Sequence, residues 1–406
     1  MKPLDGIKVI EMTSWMAAPS AGAILADMGA DVIKIEPPRG DPMRGLARQP
    51  KVEEGEPTVD AAFTVDNRGK RSVTVSVDQE AGADLVKRLI ADSDVLLTNL
   101  LAHRQERYGL DPDSLKAVNP RLVHATLTGY GRSGPEATRP GYDVTAFFGR
   151  GGVTHSITDP DAAPPRAPVA GGDHTTGLAM VSSILAALRL VERSGEMQVV
   201  DVSLLATALW TMATDVAPAL IDRRQPRARD RHNQVSALGN RYPCADGKWL
   251  IVNMPEPHWW PRFCETVGEA AWGSDPEFDT PKKRFDRMPE VVDRIDAIMS
   301  TRTAEEWGKV FDDAGLIWGP IQTLPEVVSD PQARAMELFV ELDHPEGQGT
   351  FETLASPIRI EGADIVPRTA APVLGADTEA VLADLGVTSD EMAELRAAGT
   401  IGDPPS

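Results

Sequence analysis

Residues 7–36 read IKVIEMTSWMAAPSAGAILADMGADVIKIE. In Ile7-Lys8-Val9-Ile10-Glu11 the β-branched Ile7, Val9 and Ile10 predict a strand. Ala21 to Met28 is rich in strong helix formers and stops at Gly29, the residue that ends helices at least cost. Asp31-Val32-Ile33-Lys34-Ile35-Glu36 predicts a second strand. Strand, helix and strand within ~30 residues make one βαβ unit, whose two strands lie parallel.

The pattern continues outward. Ser72–Val77 reads as a strand, Ala81–Ile90 as a helix and Val95–Leu97 as a strand. A short helical piece near Ser114 precedes another strand at Leu122–Leu127. Gly129 to Gly172 is a loop region dense in Gly and Pro. Gly177–Val191 then reads as an apolar helix and Met197–Val202 as a strand. Alternation of this kind predicts an α/β fold, an open and mostly parallel sheet with helices on both faces. The proline-bearing basic stretch Arg223–Arg231 reads as a linker. Beyond it, a hairpin turn at Ala245-Asp246-Gly247 and helices around Trp260, Val292 and Trp307 suggest a smaller α+β domain. The tail from Ile358 returns to strand, Pro-rich loop and a helix near Glu379.

The chain has 406 residues, 41 Lys and Arg against 61 Asp and Glu, and a net charge of −20. That balance argues against nucleic acid as a partner, because phosphate-backbone binding is driven by Lys and Arg. Apolar residues make up 42% of the chain, enough for a sizeable core and against wholesale disorder. Cys244 and Cys264 lack a CxxC spacing and read as reduced thiols, so a cytoplasmic setting is expected. Met1–Gly6 has no apolar leader. The longest apolar stretch, Val202 to Thr214, is shorter than the ~20 residues of a membrane span and predicts a buried helix, with no membrane partner.

Gly129-Tyr130-Gly131-Arg132-Ser133-Gly134 matches the dinucleotide fingerprint and follows a strand. Pro135, Glu136 and Pro140 come next, leaving no helix N-terminus for a pyrophosphate, so neither a nicotinamide nor a flavin is expected. The seven histidines are scattered, and none has a zinc spacing. No metal is expected. Trp249, Trp259, Trp260, Trp307 and Trp318 read mostly as core, with His258-Trp259-Trp260 a candidate pocket wall.

Gly171-Gly172-Asp173-His174-Thr175-Thr176-Gly177 places a carboxylate at the start of a helix. One reading is an N-cap, where Asp accepts backbone N–H bonds. The other is a nucleophile, with Gly171 and Gly172 clearing space for a ligand. The two readings are compatible.

Taken in order, these segments resemble the class III CoA-transferases, which include formyl-CoA transferase, carnitine CoA-transferase and alpha-methylacyl-CoA racemase. The resemblance runs from Pro3-Leu4-Asp5-Gly6 through Asn67-Arg68-Gly69-Lys70-Arg71-Ser72, Gly172-Asp173, Gln198–Ser203 and Gly319-Pro320 to Leu374-Gly375-Ala376-Asp377-Thr378. It implies a Rossmann-like large domain built from both chain ends, with a small α+β domain inserted, in an interlocked homodimer. The expected division is 1–200 for the first part of the large domain, 201–230 for a linker, 231–330 for the small domain, and 331–406 for the return.

The resemblance assigns the nucleophile to Asp173. It implies coenzyme A contacts at Met16, Ala17, Val75, Ser76, Val77, Asp78, Asn99, Leu100 and Leu101. It also implies contacts at Arg107, Arg139, Pro140, Gly141 and Tyr142. Arg107 and Arg139 are expected to pair with phosphates. Pro37 stands where many relatives carry a basic residue, and Arg39 is expected to substitute for it. Asn99-Leu100-Leu101-Ala102-His103 departs from the usual Asn-Phe-Arg-Pro-Gly. No glycine-rich loop stands near Ala237-Leu238-Gly239, which weighs against a formyl or oxalyl substrate. Tyr142-Asp143 replaces the racemase His-Asp pair, and a tyrosine, with a pKa of ~10, is a poor base near neutral pH. The resulting expectation is transfer of CoA from an acyl-CoA to a small carboxylic acid through an aspartyl anhydride and an aspartyl-CoA thioester. The rivals are an acyl-CoA isomerase, a non-catalytic acyl-CoA binding protein and a Rossmann oxidoreductase.

Overall fold

A computed structural model describes residues 1–46, 59–225, 230–345 and 349–403. The chain divides into two compact units. The first comprises Met1–His155, Arg166–Arg223 and Pro331–Ser406, the second Ser156–Pro165 and Arg224–Asp330.

The first unit begins with β1 (Lys8–Met12), α1 (Ala17–Asp27), β2 (Asp31–Glu36), α2 (Ala61–Asn67) and β3 (Arg71–Thr74). It continues with α3 (Glu80–Ala91), β4 (Val95–Thr98), α4 (Ala102–Tyr108), α5 (Pro112–Lys116) and β5 (Val123–Thr128). A π-helical segment at Val144–Arg150 precedes α6 (Val153–Ser156), α7 (Gly171–Ser194), β6 (Gln198–Ser203), α8 (Leu204–Thr211) and α9 (Ala213–Asp222). The six strands form one sheet in the order β3-β2-β1-β4-β5-β6, with every pairing parallel. Val9 sits opposite Val32 on one side and Val95 on the other.

Strand pleating decides the two cores. Val9, Val32, Val95, Leu97 and Val123 face α1 and α7, where they pack against Leu25, Met180 and Ile184. Ile10, Ile33, Val73 and Leu96 face the other way, onto Val86, Leu89 and Ile90 of α3. Burial on both faces is why β4 reads Val95-Leu96-Leu97 without a charge, while Glu11 on β1 and Lys34 on β2 are buried as an ion pair. The strand order reverses between β1 and β4, which opens a crevice at their C-terminal ends.

The C-terminal segment completes the edge at β3. Asp377 accepts the Ser72 N–H at 2.8 Å, and Thr378 Oγ1 accepts the Thr74 N–H at 3.1 Å. A single bridge joins Val75 to Ile401. The strand expected from Ile358 is not formed; residues 358–377 are coil and turn that deliver these side chains.

Three expectations fail locally. The 201–230 segment is not a linker along its length, since residues up to 222 form the end of β6, α8 and α9; residues 226–229 lie outside the described residues. The stretch at 202–214 is not a buried helix. It breaks at Met212, α8 and α9 meet at 86°, and Trp210 is 81% exposed. The third failure is the start of α7, which begins at Gly171 rather than Gly177. By length and composition α7 is also apolar enough to cross a membrane, yet it lies along α1, where Gly177 meets Ser20.

The second unit holds an antiparallel sheet, β7 (Gly239–Pro243), β8 (Trp249–Asn253) and β9 (Trp318–Pro320), with Tyr242 opposite Leu250 and Ile251 opposite Gly319. Its core is aromatic, built on Trp260, Phe263, Trp272, Trp307 and Phe311. Trp260 is therefore core, while Trp259 donates its Nε1–H to Glu256 at 3.0 Å. Cys244 and Cys264 are free and buried.

Candidate active site

Two neighbouring cavities lie at the strand C-termini of the first unit and share Ser14, Leu100 and Arg104. The first, of about 270 Å³, is lined by Trp15, Ala17, Asn99, Leu101, Tyr142 and Asp173 among others. Glu36, Arg39, Val75, Ser76, Val77 and Asp78 help to line the second, of about 480 Å³.

Asp173 is not an N-cap. The N-cap of α7 is Ala170, at φ +58°, and Asp173 lies in the first turn behind it. No hydrogen bond holds its carboxylate among the described residues. Burial pushes its pKa up to about 7; the Asp143 carboxylate and, more weakly, Asp66 add to the rise, and His174 opposes it. Asp143 is itself buried and accepts the Gly172 N–H at 3.3 Å. His174 Nε2 lies 3.0 Å from Asp66 Oδ1, and that hydrogen bond raises the imidazole pKa.

The paired glycines have a different task from the expected one. A Cβ on Gly172 would lie 2.7 Å from Phe147 Cγ and 2.9 Å from Asp143 Cβ. On Gly171 it would meet Pro168 and Phe148 at 3.1 and 3.2 Å. They let α7 start directly against the π-helical segment rather than clear a path for ligand. A comparable close approach does shape the cavity: a Cβ on Gly129 would come within 2.8 Å of Gly141 Cα.

The loop after β1 is fixed by polar contacts. Asn99 accepts the Ser14 N–H at 3.2 Å and donates to the Ser14 carbonyl at 2.7 Å. Buried Gln105 donates to the Leu100 carbonyl at 2.6 Å. Beneath the loop, Lys34 and Lys70 both pair with Glu11, and Lys34 pairs also with Asp41 at 2.9 Å. Burial works against the charge of Lys34, but Glu11, Asp41 and Glu36 outweigh it and its pKa is raised. Burial brings the Lys70 pKa down to about 8.

Of the residues expected to contact coenzyme A, the cavities bring together Ala17, Arg39, Val75, Ser76, Val77, Asp78, Asn99, Leu100, Leu101, Pro140, Gly141 and Tyr142. Met16 does not line them; it packs toward Met43, Phe63 and Ala371. Nor does Arg139, which is paired with Glu136 at 2.9 Å and lies over the Tyr130 ring. Arg107 also stays outside, its guanidinium over Tyr108. The cation that does line both cavities is Arg104, one helical turn nearer the end of β4. Among the described residues neither Arg104 nor Arg39 has a carboxylate partner. Arg104, Trp15, Asp66 and His174 were missed by the sequence reading. The available signal for Arg104 was its place one turn beyond Leu101, where the usual arginine is lacking.

Among the described residues one cluster, His232, Asp293 and Asp296, has the spacing to hold a cation. It lies in the second unit, and Arg231 already pairs with Asp296.

Comparison with known proteins agrees with this architecture. A Clostridioides difficile protein named (R)-2-hydroxy-4-methylpentanoate CoA-transferase is 30% identical over 393 residues, covering 96% of this chain and 97% of that one. The succinate–glutarate CoA-transferase of Agrobacterium fabrum is 35% identical, covering 94% and 96%. The crystal structure of a CAIB/BAIF family protein from Brucella suis superposes with a TM-score of 0.83 at 32% identity, covering 95% of this chain and 99% of that one. The model of CoA-transferase family III matches residues 4–378, and the chain belongs to that family.

Proposed function

We propose that this enzyme moves CoA from an acyl-CoA donor to a small carboxylic acid, with Asp173 as the covalent relay. One observation carries the reading: a carboxylate with no hydrogen bond among the described residues stands on the wall of a cavity at the sheet's switch point, beside a second cavity with two guanidiniums, Arg39 and Arg104, that have no carboxylate partner among those residues. Those cations suit the phosphates of coenzyme A. The narrower cavity suits the thioester end.

Asp173 adds to the donor thioester carbonyl, the C–S bond breaks, and CoA leaves as thiolate with a mixed anhydride behind it. The thiolate then adds to the aspartyl carbonyl, breaks the anhydride C–O bond, and releases the donor as its carboxylate. The aspartyl-CoA thioester that remains is attacked by the acceptor carboxylate, and the two steps run in reverse. One carboxylate enters and one leaves, so no net proton is taken up. A raised pKa makes Asp173 a better nucleophile than an ordinary carboxylate while leaving it partly ionised near neutrality. The Gly172 N–H is already given to Asp143, so oxyanion donors must come from elsewhere. The loops meeting at Gly129 and Gly141 bring backbone to the cavity wall.

A homodimer fits the surface of the first unit. Leu178 and Leu190 on α7, Val199 on the edge strand β6, and Trp210 and Ile221 on α8 and α9 are exposed and apolar. The buried free thiols suit a reducing, cytoplasmic setting.

An isomerase is the second reading, because a carboxyl with a pKa of about 7 also suits proton transfer. The two separate in one experiment. The protein is incubated with a panel of acyl-CoAs in D2O, quenched with borohydride, and the peptide holding Asp173 is mapped by mass spectrometry. Reduction of the Asp173 carboxyl to an alcohol supports transfer. An unmodified Asp173 with deuterium at the substrate α-carbon supports isomerisation instead.

A further inference from the structure

Trp15 has a backbone conformation that bulky L-residues avoid, with φ +72°. An outlier of this kind persists only where its surroundings over-determine it. Here they do. Asp41 Oδ1 accepts the Trp15 N–H at 3.2 Å, and Asp41 Oδ2 pairs with Lys34 at 2.9 Å. Lys34 also donates to the Thr13 carbonyl at 3.1 Å, while Asn99 holds Ser14 from the other side. Asp41 and Lys34 are buried. The indole packs toward Met43, Phe63 and Ala371, and meets Tyr142 edge to face, with centroids 5.2 Å apart and planes at 88°. Both rings line the cavity that holds Asp173. At about 270 Å³ that cavity is the smaller of the two that meet at Ser14, Leu100 and Arg104.

We propose that Trp15 is the specificity-determining residue for the acyl group. With Tyr142 it forms an aromatic wall that admits compact, short-chain aliphatic acyl groups to Asp173 and turns away long or aryl ones. The buried Asp41–Lys34 pair is the positioning device that keeps the wall in place. The inference rests on the transferase reading above.

The test is self-exchange: labelled carboxylate is incubated with its own acyl-CoA, and label entering the thioester is followed. No knowledge of the natural acceptor is needed. Acetyl, propionyl, hexanoyl and benzoyl pairs are compared in the full-length protein and in Trp15→Gly, whose residue accepts φ +72° without strain. Tyr142→Ala, at a half-exposed position, serves as a second variant that does not disturb the loop backbone. The wild type is expected to favour acetyl and propionyl over hexanoyl and benzoyl at least tenfold in kcat/KM. Each variant is expected to narrow that ratio at least tenfold. Asp41→Asn is expected to narrow it in the wild-type background and to leave it unchanged in the Trp15→Gly background, a coupling that a general loss of stability does not produce. A flat acyl profile in the wild type, or variants that slow all four pairs alike, overturns the proposal while leaving the transferase reading intact. Absence of exchange with every pair overturns both.

Discussion

The imidazole of His174 stands 3.0 Å from the Oδ1 of Asp66, one residue beyond the carboxylate proposed as the nucleophile. Asp66 is on α2 and His174 on α7, so the pair ties together two helices that flank α1. The hydrogen bond to Asp66 raises the His174 pKa, and His174, when protonated, opposes the rise that burial and Asp143 impose on Asp173. His174→Gln keeps a donor for Asp66 and removes the positive charge. The apparent pKa governing kcat/KM is expected to move upward from about 7, so the variant loses most activity at pH 6 to 7 and recovers it by pH 9. A pH–rate profile of acyl self-exchange reads this directly; an unchanged profile would show that His174 does not act on Asp173.

Asp173 also leaves a signature in stability. Its carboxyl is raised from 3.8 to about 7 in the folded protein, the reverse of the usual salt-bridged aspartate. Between those two values the folded state binds more protons than the unfolded state, so stability falls as pH rises. Below about pH 4 the penalty is absent, and above pH 7 it is complete. Asp173→Asn is expected to be more stable than the wild type at pH 8, by on the order of 2–4 kcal/mol, and no more stable at pH 4. Urea titrations of both proteins at the two pH values check the sign, and loss of self-exchange in the same variant checks the role.

Much of this fold was legible because fully buried parallel strands have few ways to look. Val9-Ile10 and Val32-Ile33 bury apolar side chains on both faces, and the helix between them stops just before Gly29. The start of α7 was not legible. Gly171 and Gly172 are poor helix formers, and only Phe147, Phe148 and Asp143 packed against them make that turn pay. Trp210 misled in the opposite way: apolar composition implies burial, but it does not say against what. At the site, residue type singled out Asp173, whereas the conformation of Trp15 and the direction of Arg104 are properties of the backbone and of neighbouring side chains.

The arginines give a test in which geometry and sequence pattern disagree. Among the described residues Arg104 and Arg39 line the cavities without carboxylate partners, whereas Arg139 is committed to Glu136; Arg107, like Arg104, lies over Tyr108, but it lines neither cavity. A charge-assisted hydrogen bond contributes roughly 1.5–3 kcal/mol, a change of about 10- to 150-fold in affinity. Arg104→Ala and Arg39→Ala are each expected to raise KM for acyl-CoA by at least tenfold with a smaller effect on kcat. Arg107→Ala and Arg139→Ala are expected to stay within about threefold of the wild type, since neither removes a free cation from the cavities. Initial-rate kinetics of the four variants with one donor decide it, and the opposite ranking would return the phosphate contacts to Arg107 and Arg139.

At the start of α7 an alanine stands where the backbone favours glycine, and a glycine stands where the backbone is helical. Ala170 takes the left-handed conformation, at φ +58°, to turn the chain into α7. Glycine adopts that conformation without strain, so Ala170→Gly is expected to leave stability unchanged or raise it by up to about 1 kcal/mol, despite the extra freedom it gives the unfolded chain. Gly172 is helical and gains nothing from special backbone freedom. It is required because Phe147 and Asp143 occupy the space where a Cβ would go. The colliding atoms are Phe147 Cβ and Cγ and Asp143 Cβ, next to backbone rather than at the ends of flexible chains, so relief requires the π-helical segment and α7 to separate. Gly172→Ala is expected to cost about 1–3 kcal/mol, as overpacking does, and to weaken the Gly172–Asp143 hydrogen bond. With Asp143 displaced, one source of the raised Asp173 pKa is reduced, so activity at pH 6 should suffer less than activity at pH 8. Thermal melts separate the two variants, and self-exchange rates at those two pH values show whether the glycine serves only packing or the electrostatics of Asp173 as well.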